Sequence, residues 1–97
     1  MKQLDFDWDS KKNISNKKKH GISFEEAETV FHDPNGRLIS DPDHSDNEDR
    51  FILLGLSENL RILVVCHCYR HGDTLIRIIS AKKADRKETK IYEEYLK

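Results

Sequence analysis

Arg50-Phe51-Ile52-Leu53-Leu54-Gly55-Leu56, Leu60-Arg61-Ile62-Leu63-Val64-Val65-Cys66-His67-Cys68-Tyr69 and Leu75-Ile76-Arg77-Ile78-Ile79-Ser80 are three apolar runs in close succession. They are rich in branched aliphatic and aromatic residues and bounded by turn formers, so each reads as a strand. Ser57-Glu58-Asn59 and His71-Gly72-Asp73 link them, and links this short join antiparallel neighbours. In the middle run Ile62, Leu63, Val64 and Val65 follow one another without a polar break, the pattern of a strand covered on both faces. Residues 50–80 therefore predict an antiparallel meander, with residues 37–40 as a short strand ahead of it.

Outward from the meander the pattern turns helical. Leu4, Phe6 and Trp8 alternate with polar residues and predict a short half-buried strand. Asp9 or Ser10 caps a helix running to about Lys19, stopped by Gly21. Ser23-Phe24-Glu25-Glu26 reads as a capping box, and Phe24, Ala27, Val30 and Phe31 make one apolar stripe behind it. Asp33-Pro34-Asn35-Gly36 ends that helix. Past Ser80, Ala84, Glu88, Ile91, Tyr92 and Tyr95 recur at helical spacing, predicting a C-terminal amphipathic helix over the last ~14 residues. The expected fold class is α+β, with two N-terminal helices and a C-terminal helix packed on a small antiparallel sheet.

The chain has 97 residues, which fits one domain spanning 1–97. Lys+Arg is 17 against 18 Asp+Glu, a net charge of −1, which excludes a globally basic nucleic-acid binder. No run approaches the ~18–20 apolar residues of a membrane helix. Met1-Lys2-Gln3-Leu4-Asp5 leads into no apolar run, so no secretory leader is expected and the cytoplasm is the expected location. The net charge hides a segregation. Lys11, Lys12, Lys17, Lys18 and Lys19 stand without an acid between residues 10 and 20, and Asp41, Asp43, Asp46, Glu48 and Asp49 stand without a base between 41 and 49. Residues 81–90 carry five bases against two acids. Such basic stretches either form solvated faces or offer local positive potential to phosphate.

Arg77 is the most informative single residue, because it interrupts an otherwise core-like strand. A lone buried guanidinium is costly, so either its sheet face is open or it meets an anion, Glu48 or another acid, or a phosphate on which its fork closes. Arg50, Arg61 and Arg70 lie on the adjacent strands and form an anion site if they share a face. His20 ends the first helix, where it serves as a C-terminal cap or as a proton-transfer group. Cys66-His67-Cys68 on a strand points both thiols one way and the imidazole the other, which disfavours zinc. No Gly-rich phosphate loop is present. Trp8 is expected in the core.

Phe6-x-Trp8-Asp9, Asn13, Lys19-His20-Gly21-Ile22-Ser23-Phe24-Glu25-Glu26-Ala27 and Val30-Phe31-x-Asp33 resemble the opening of BrnT-type toxins. Glu48-x-Arg50, Gly55-Leu56-Ser57, Arg61-x-Leu63-x-Val65, Arg77-Ile78-Ile79-Ser80-Ala81, Glu88 and Tyr92 continue the resemblance to about Tyr95. It implies a RelE/ParE-like fold and a ribonuclease that blocks translation. It also implies a neighbouring BrnA-type antitoxin with a ribbon-helix-helix DNA-binding part, and operator DNA contacted only through that antitoxin. Carried over by position, His20, Glu48, Arg50 and Arg77 are the catalytic candidates, with Arg70 at the end of the central strand. Lys19, Lys82, Lys83 and Arg86 are the expected RNA contacts. Where the family usually has arginine after Ser-Ala this chain has Lys82, which keeps the charge and loses the fork. The expected chemistry is metal-independent, with no cofactor. The alternative is a non-catalytic module that only binds its partner.

Overall fold

The computed structural model describes residues 4–40, 50–72 and 74–96; the acidic stretch 41–49, Glu48 included, lies outside the described residues. The elements run β1 (Asp5–Asp7), α1 (Ser10–His20), α2 (Phe24–Thr29) with a 3-10 turn (Val30–His32), β2 (Arg37–Ser40), β3 (Phe51–Leu56), β4 (Ile62–Arg70), β5 (Leu75–Lys83) and α3 (Arg86–Tyr95). Among the described residues the strands form one sheet in the order β1-β5-β4-β3-β2.

The helix ends follow from local chemistry. Asp9 Oδ1 accepts from the N–H groups of Lys11 and Lys12 at 2.8 and 3.3 Å, satisfying donors that have no intrahelical partner. Gly21 adopts the left-handed conformation at φ 73° and closes α1 through a 2.9 Å bond to Lys17 O. Ser23 caps α2 through Glu26 N, but the expected capping box is only half formed. The Glu26 carboxylate is drawn instead to Arg61 and Ser57. The reciprocal box is at α3, where Asp85 and Glu88 exchange bonds of 2.8 and 2.9 Å.

The meander is present: β2–β3, β3–β4 and β4–β5 pair antiparallel. His71 and Gly72 both take positive φ, 52° and 70°, as a tight hairpin turn requires. The sheet as a whole is mixed, not antiparallel, because β1 runs parallel to β5 along its outer edge with Asp7 beside Arg77. A three-residue strand has too little pattern to announce its partner. β5 also extends three residues beyond the expected Ser80, since Ala81, Lys82 and Lys83 still pair with Val65, Val64 and Leu63.

Two apolar clusters sandwich the sheet. On one face Ile22, Phe24, Ala27 and Val30 pack on Leu53, Leu63, Val65, Ile76, Ile78 and Ala81. Fully burying a side chain such as Phe24 contributes about 1.5–3 kcal/mol. On the other face Tyr92 of α3 packs on Leu54 and Val64 with Ile52, Leu56, Ile62 and Ile91 around them. This accounts for the uninterrupted apolar run of β4, which is covered on both sides.

Candidate active site

The face carrying α3 is only partly covered. Between α3, the end of α1 and strands β3–β5 lies a groove of about 540 Å³. Ile52, Val64, Ile79 and Ile91 form its apolar lining, while His20, Arg50, Lys82 and Lys87 bring positive or titratable nitrogen. Asp85 and Glu88 supply the acids. Both are held in the α3 cap, and Glu88 also stands 3.8 Å from Lys82 Nζ. That exposed pair contributes at most about 1 kcal/mol. A smaller depression on the α1 side, with Lys12, Lys19 and Asn16, shares His20, Ile79 and Ser80 with the groove.

A bulge decides which residues look into this space. Cys66 pairs with Ser80 and His67 with Ile78, so Ile79 is the extra residue. Strict alternation would put Arg77 on the face of Ala81, which is buried in the helix-covered core. The extra residue reverses the parity, so Arg77, opposite Cys68, shares the face of Ser80 and Lys82. Arg77 is nevertheless not among the groove residues. Its Nη1 lies 3.2 Å from Asp7 Oδ2, so among the described residues the acid that answers it is Asp7 of β1. Asp7 Oδ1 is itself buried without a hydrogen-bond partner among the described residues.

The structure thus gathers His20, Arg50 and Lys82 in one groove, places Lys19 beside it, and sets Arg77 farther along the same face. Arg70 is exposed at the end of β4 opposite Leu75. Lys83 faces away from Lys82 by strand alternation, and Arg86 begins α3; neither lines the groove. Glu48 lies outside the described residues.

Arg61 does not join this face. It forks onto Glu26, Nε to Oε2 at 2.9 Å and Nη2 to Oε1, and Ser57 Oγ donates to the same carboxylate at 2.7 Å. The Arg61 bonds hold the Glu26 carboxyl below its usual range against the opposing effect of burial, and the same pairing raises the Arg61 pKa. This polar network fastens α2 to the β3–β4 turn. The expected Cys66-His67-Cys68 geometry holds. His67 is fully buried between Phe31, Phe51 and Tyr69, with Nδ1 3.1 Å from Val65 O. Burial pushes its pKa down, so it is a neutral core side chain. No group of three His, Cys, Asp or Glu among the described residues can hold a metal ion. Trp8 packs edge-on against Phe24, 6.0 Å between ring centres.

Sequence reasoning missed Asn16, Asp7 and the Asp33–Tyr92 pair, in which the Tyr92 hydroxyl donates to Asp33 Oδ2 at 2.5 Å. For Asn16 the available signal is its position four residues before His20, on the same helix face. Chemically, an imidazole, a guanidinium and an ammonium around an apolar floor suit a phosphodiester and a proton transfer beside it. No helix among the described residues is long and apolar enough to cross a membrane.

No curated protein sequence matches the chain. The crystal structure of the Brucella abortus ribonuclease toxin BrnT superposes with a TM-score of 0.64 at 21% identity, covering 87% of this chain and all of that one. Residues 8–88 match the family model described as the ribonuclease toxin, BrnT, of type II toxin–antitoxin systems. The chain belongs to the BrnT family of ribonuclease toxins.

Proposed function

We propose that this chain is a metal-independent endoribonuclease whose reaction centre is the groove between α1, α3 and the sheet. The observation that carries this reading is the convergence of His20, Arg50 and Lys82 on one groove. His20 takes the proton from a ribose 2′-hydroxyl, whose oxygen attacks the adjacent phosphorus. The 2′-oxygen–phosphorus bond forms, the bond from phosphorus to the 5′-oxygen breaks, and the leaving oxygen regains a proton. Glu48, two residues before Arg50, is the second proton-transfer group in this reading. Arg50 and Lys82 stabilise the charge that grows on the phosphoryl oxygens, with Arg77 and Arg70 extending the cationic face. Lys19, Lys83 and Arg86 hold the flanking RNA backbone. The RNA cleavage inhibits translation.

A toxin of a type II system has an antitoxin partner. We propose that it is a BrnA-type ribbon-helix-helix protein that neutralises the toxin by covering the groove and carries the complex to operator DNA. The RelE/ParE-like superfamily is the fold relationship that fits the helices packed on a small sheet.

One observation favours a second reading. Lys82 stands by Glu88 and Arg77 by Asp7, so these cations are partnered within the chain. A non-catalytic homologue that only binds the antitoxin fits such pairing. Incubating the purified chain with total RNA, with and without EDTA, separates the two. Cleavage that persists in EDTA is the expected result. A folded chain that leaves RNA intact, both alone and with translating ribosomes, favours the binding module.

A further inference from the structure

β1 pairs with β5 from Leu75 to Arg77, and β5 continues to Lys83 with no further strand on its outer edge among the described residues. At Ala81 that edge is met by a side chain. Ala81 N–H donates to Asn16 Oδ1 at 3.1 Å, and Asn16 Nδ2 donates to Ala81 O at 2.8 Å. The amide thereby supplies the pair of bonds that a neighbouring strand residue would have made. The other Nδ2 hydrogen goes to Ile22 O at 2.8 Å. Asn16 is 7% exposed and is the buried residue of α1.

These three bonds bracket His20. Asn16 is one helical turn before it, Ile22 is two residues after it, and Ala81 lies between Ser80 and Lys82, which line the groove with it. α1 otherwise presents little apolar surface to the sheet, since its sequence is Ser-Lys-Lys-Asn-Ile-Ser-Asn-Lys-Lys-Lys-His and its Ile14 is 61% exposed. The amide clamp is therefore the specific fastening between the end of α1 and β5. No other side chain of this length offers two donors and an acceptor in one plane: aspartate has no donors, and glutamine is a methylene longer.

We infer that Asn16 is a positioning residue, an amide clamp that fixes the His20 imidazole against Ser80 and Lys82 and contributes to RNA cleavage through His20. The inference rests on the proposed reading of the groove as the cleavage site. A displacement of about 1 Å in a reacting group costs up to about 10²-fold in rate.

The test is a double-mutant cycle on the full chain with an RNA oligonucleotide substrate. Asn16→Asp keeps the size and the acceptor but loses both donors. It is expected to lower kcat about 10- to 100-fold with KM within about twofold, at a temperature where its melting curve shows it folded. The same substitution in a His20→Ala background is expected to change nothing further. Multiplied defects, or an unchanged kcat for Asn16→Asp, overturn the inference while leaving His20 in place. A His20→Ala variant with wild-type kcat overturns the cleavage-site reading, and the inference with it. If Asn16→Asp does not fold, Asn16→Gln, which keeps the amide but moves it outward, enters the same cycle with the same expectations.

Discussion

Replacing Tyr92 with Phe removes one hydroxyl from the contact that fastens α3 to the rest of the fold. The ring is 4% exposed and lies with Leu54 and Val64, so its packing is retained. The loss is the 2.5 Å bond to Asp33 Oδ2. A hydrogen bond to a charged group contributes about 1.5–3 kcal/mol net. The lower half of that range applies, because Asp33 keeps the Leu56 N–H at 2.8 Å on the same oxygen and the Asn35 N–H at 2.9 Å on the other. The expected cost is about 2 kcal/mol, or roughly 8–16 °C in Tm for a chain of this length.

The pH dependence has a defined sign. Burial acts to raise the Asp33 pKa, but the donors from Tyr92, Leu56 and Asn35 outweigh it and hold the carboxyl below its ordinary value. A depressed carboxyl stabilises the fold above its unfolded pKa, near 4, and that contribution is lost as pH falls through the folded value. The gap between wild type and Tyr92→Phe is therefore full at pH 7 and narrows below about pH 4, where the bond becomes a weaker neutral one. In alkali, burial and then Asp33 push the Tyr92 hydroxyl up to about 12. Its contribution is intact below about pH 10 and is lost as pH rises through the folded value, a limb the Phe variant lacks. Urea unfolding followed by circular dichroism at pH 7 and pH 3.5 measures both gaps. A loss below about 0.5 kcal/mol at pH 7, against the usual worth of such a bond, or a gap that widens in acid, refutes the reasoning. Because α3 carries Lys87, Glu88 and Ile91 of the groove, the same variant also loosens that wall.

Gly55→Ala places a Cβ 2.6 Å from Val30 Cγ1 and 3.3 Å from Asp33 Oδ2, in the seam between β3 and the 3-10 turn. It should cost about 1–3 kcal/mol by overpacking, read as a lower urea midpoint, and a wild-type midpoint would mean that the seam has room. Arg77→Ala should lower RNA cleavage, by less than the roughly 10²–10³-fold expected of a donor that touches the reacting phosphate, because Arg77 lies outside the groove. Its pair with Asp7 is more than a third exposed on both sides, so the fold and antitoxin binding should survive. An unchanged rate removes Arg77 from the cationic face that acts on RNA.

The elements that could be read along the chain are those whose causes are local. Asp9 and Gly21 delimit α1 because a carboxylate caps nearby N–H groups and a glycine tolerates the left-handed region, whatever surrounds them. The meander was legible because its strands are joined by turns too short to lead elsewhere. The BrnT resemblance was legible in Lys19-His20-Gly21 and Arg77-Ile78-Ile79-Ser80-Ala81, and the family match bears it out. The tertiary structure decided what depends on partners distant in the chain. It drew Glu26 from its expected cap to Arg61, 35 residues away, because a buried carboxylate gains more from a guanidinium than from one N–H. It gave β1 to the outer edge of β5, and it supplied Asn16 where β1 ends. It also turned Arg77 out of the core through one unpaired residue, Ile79, although strand periodicity alone sets it beside Ala81. Caps and tight turns are determined within a few residues, so the sequence carries them openly. Face, register and buried pairing follow from which distant segments pack together, and that choice is made only when the whole sheet closes.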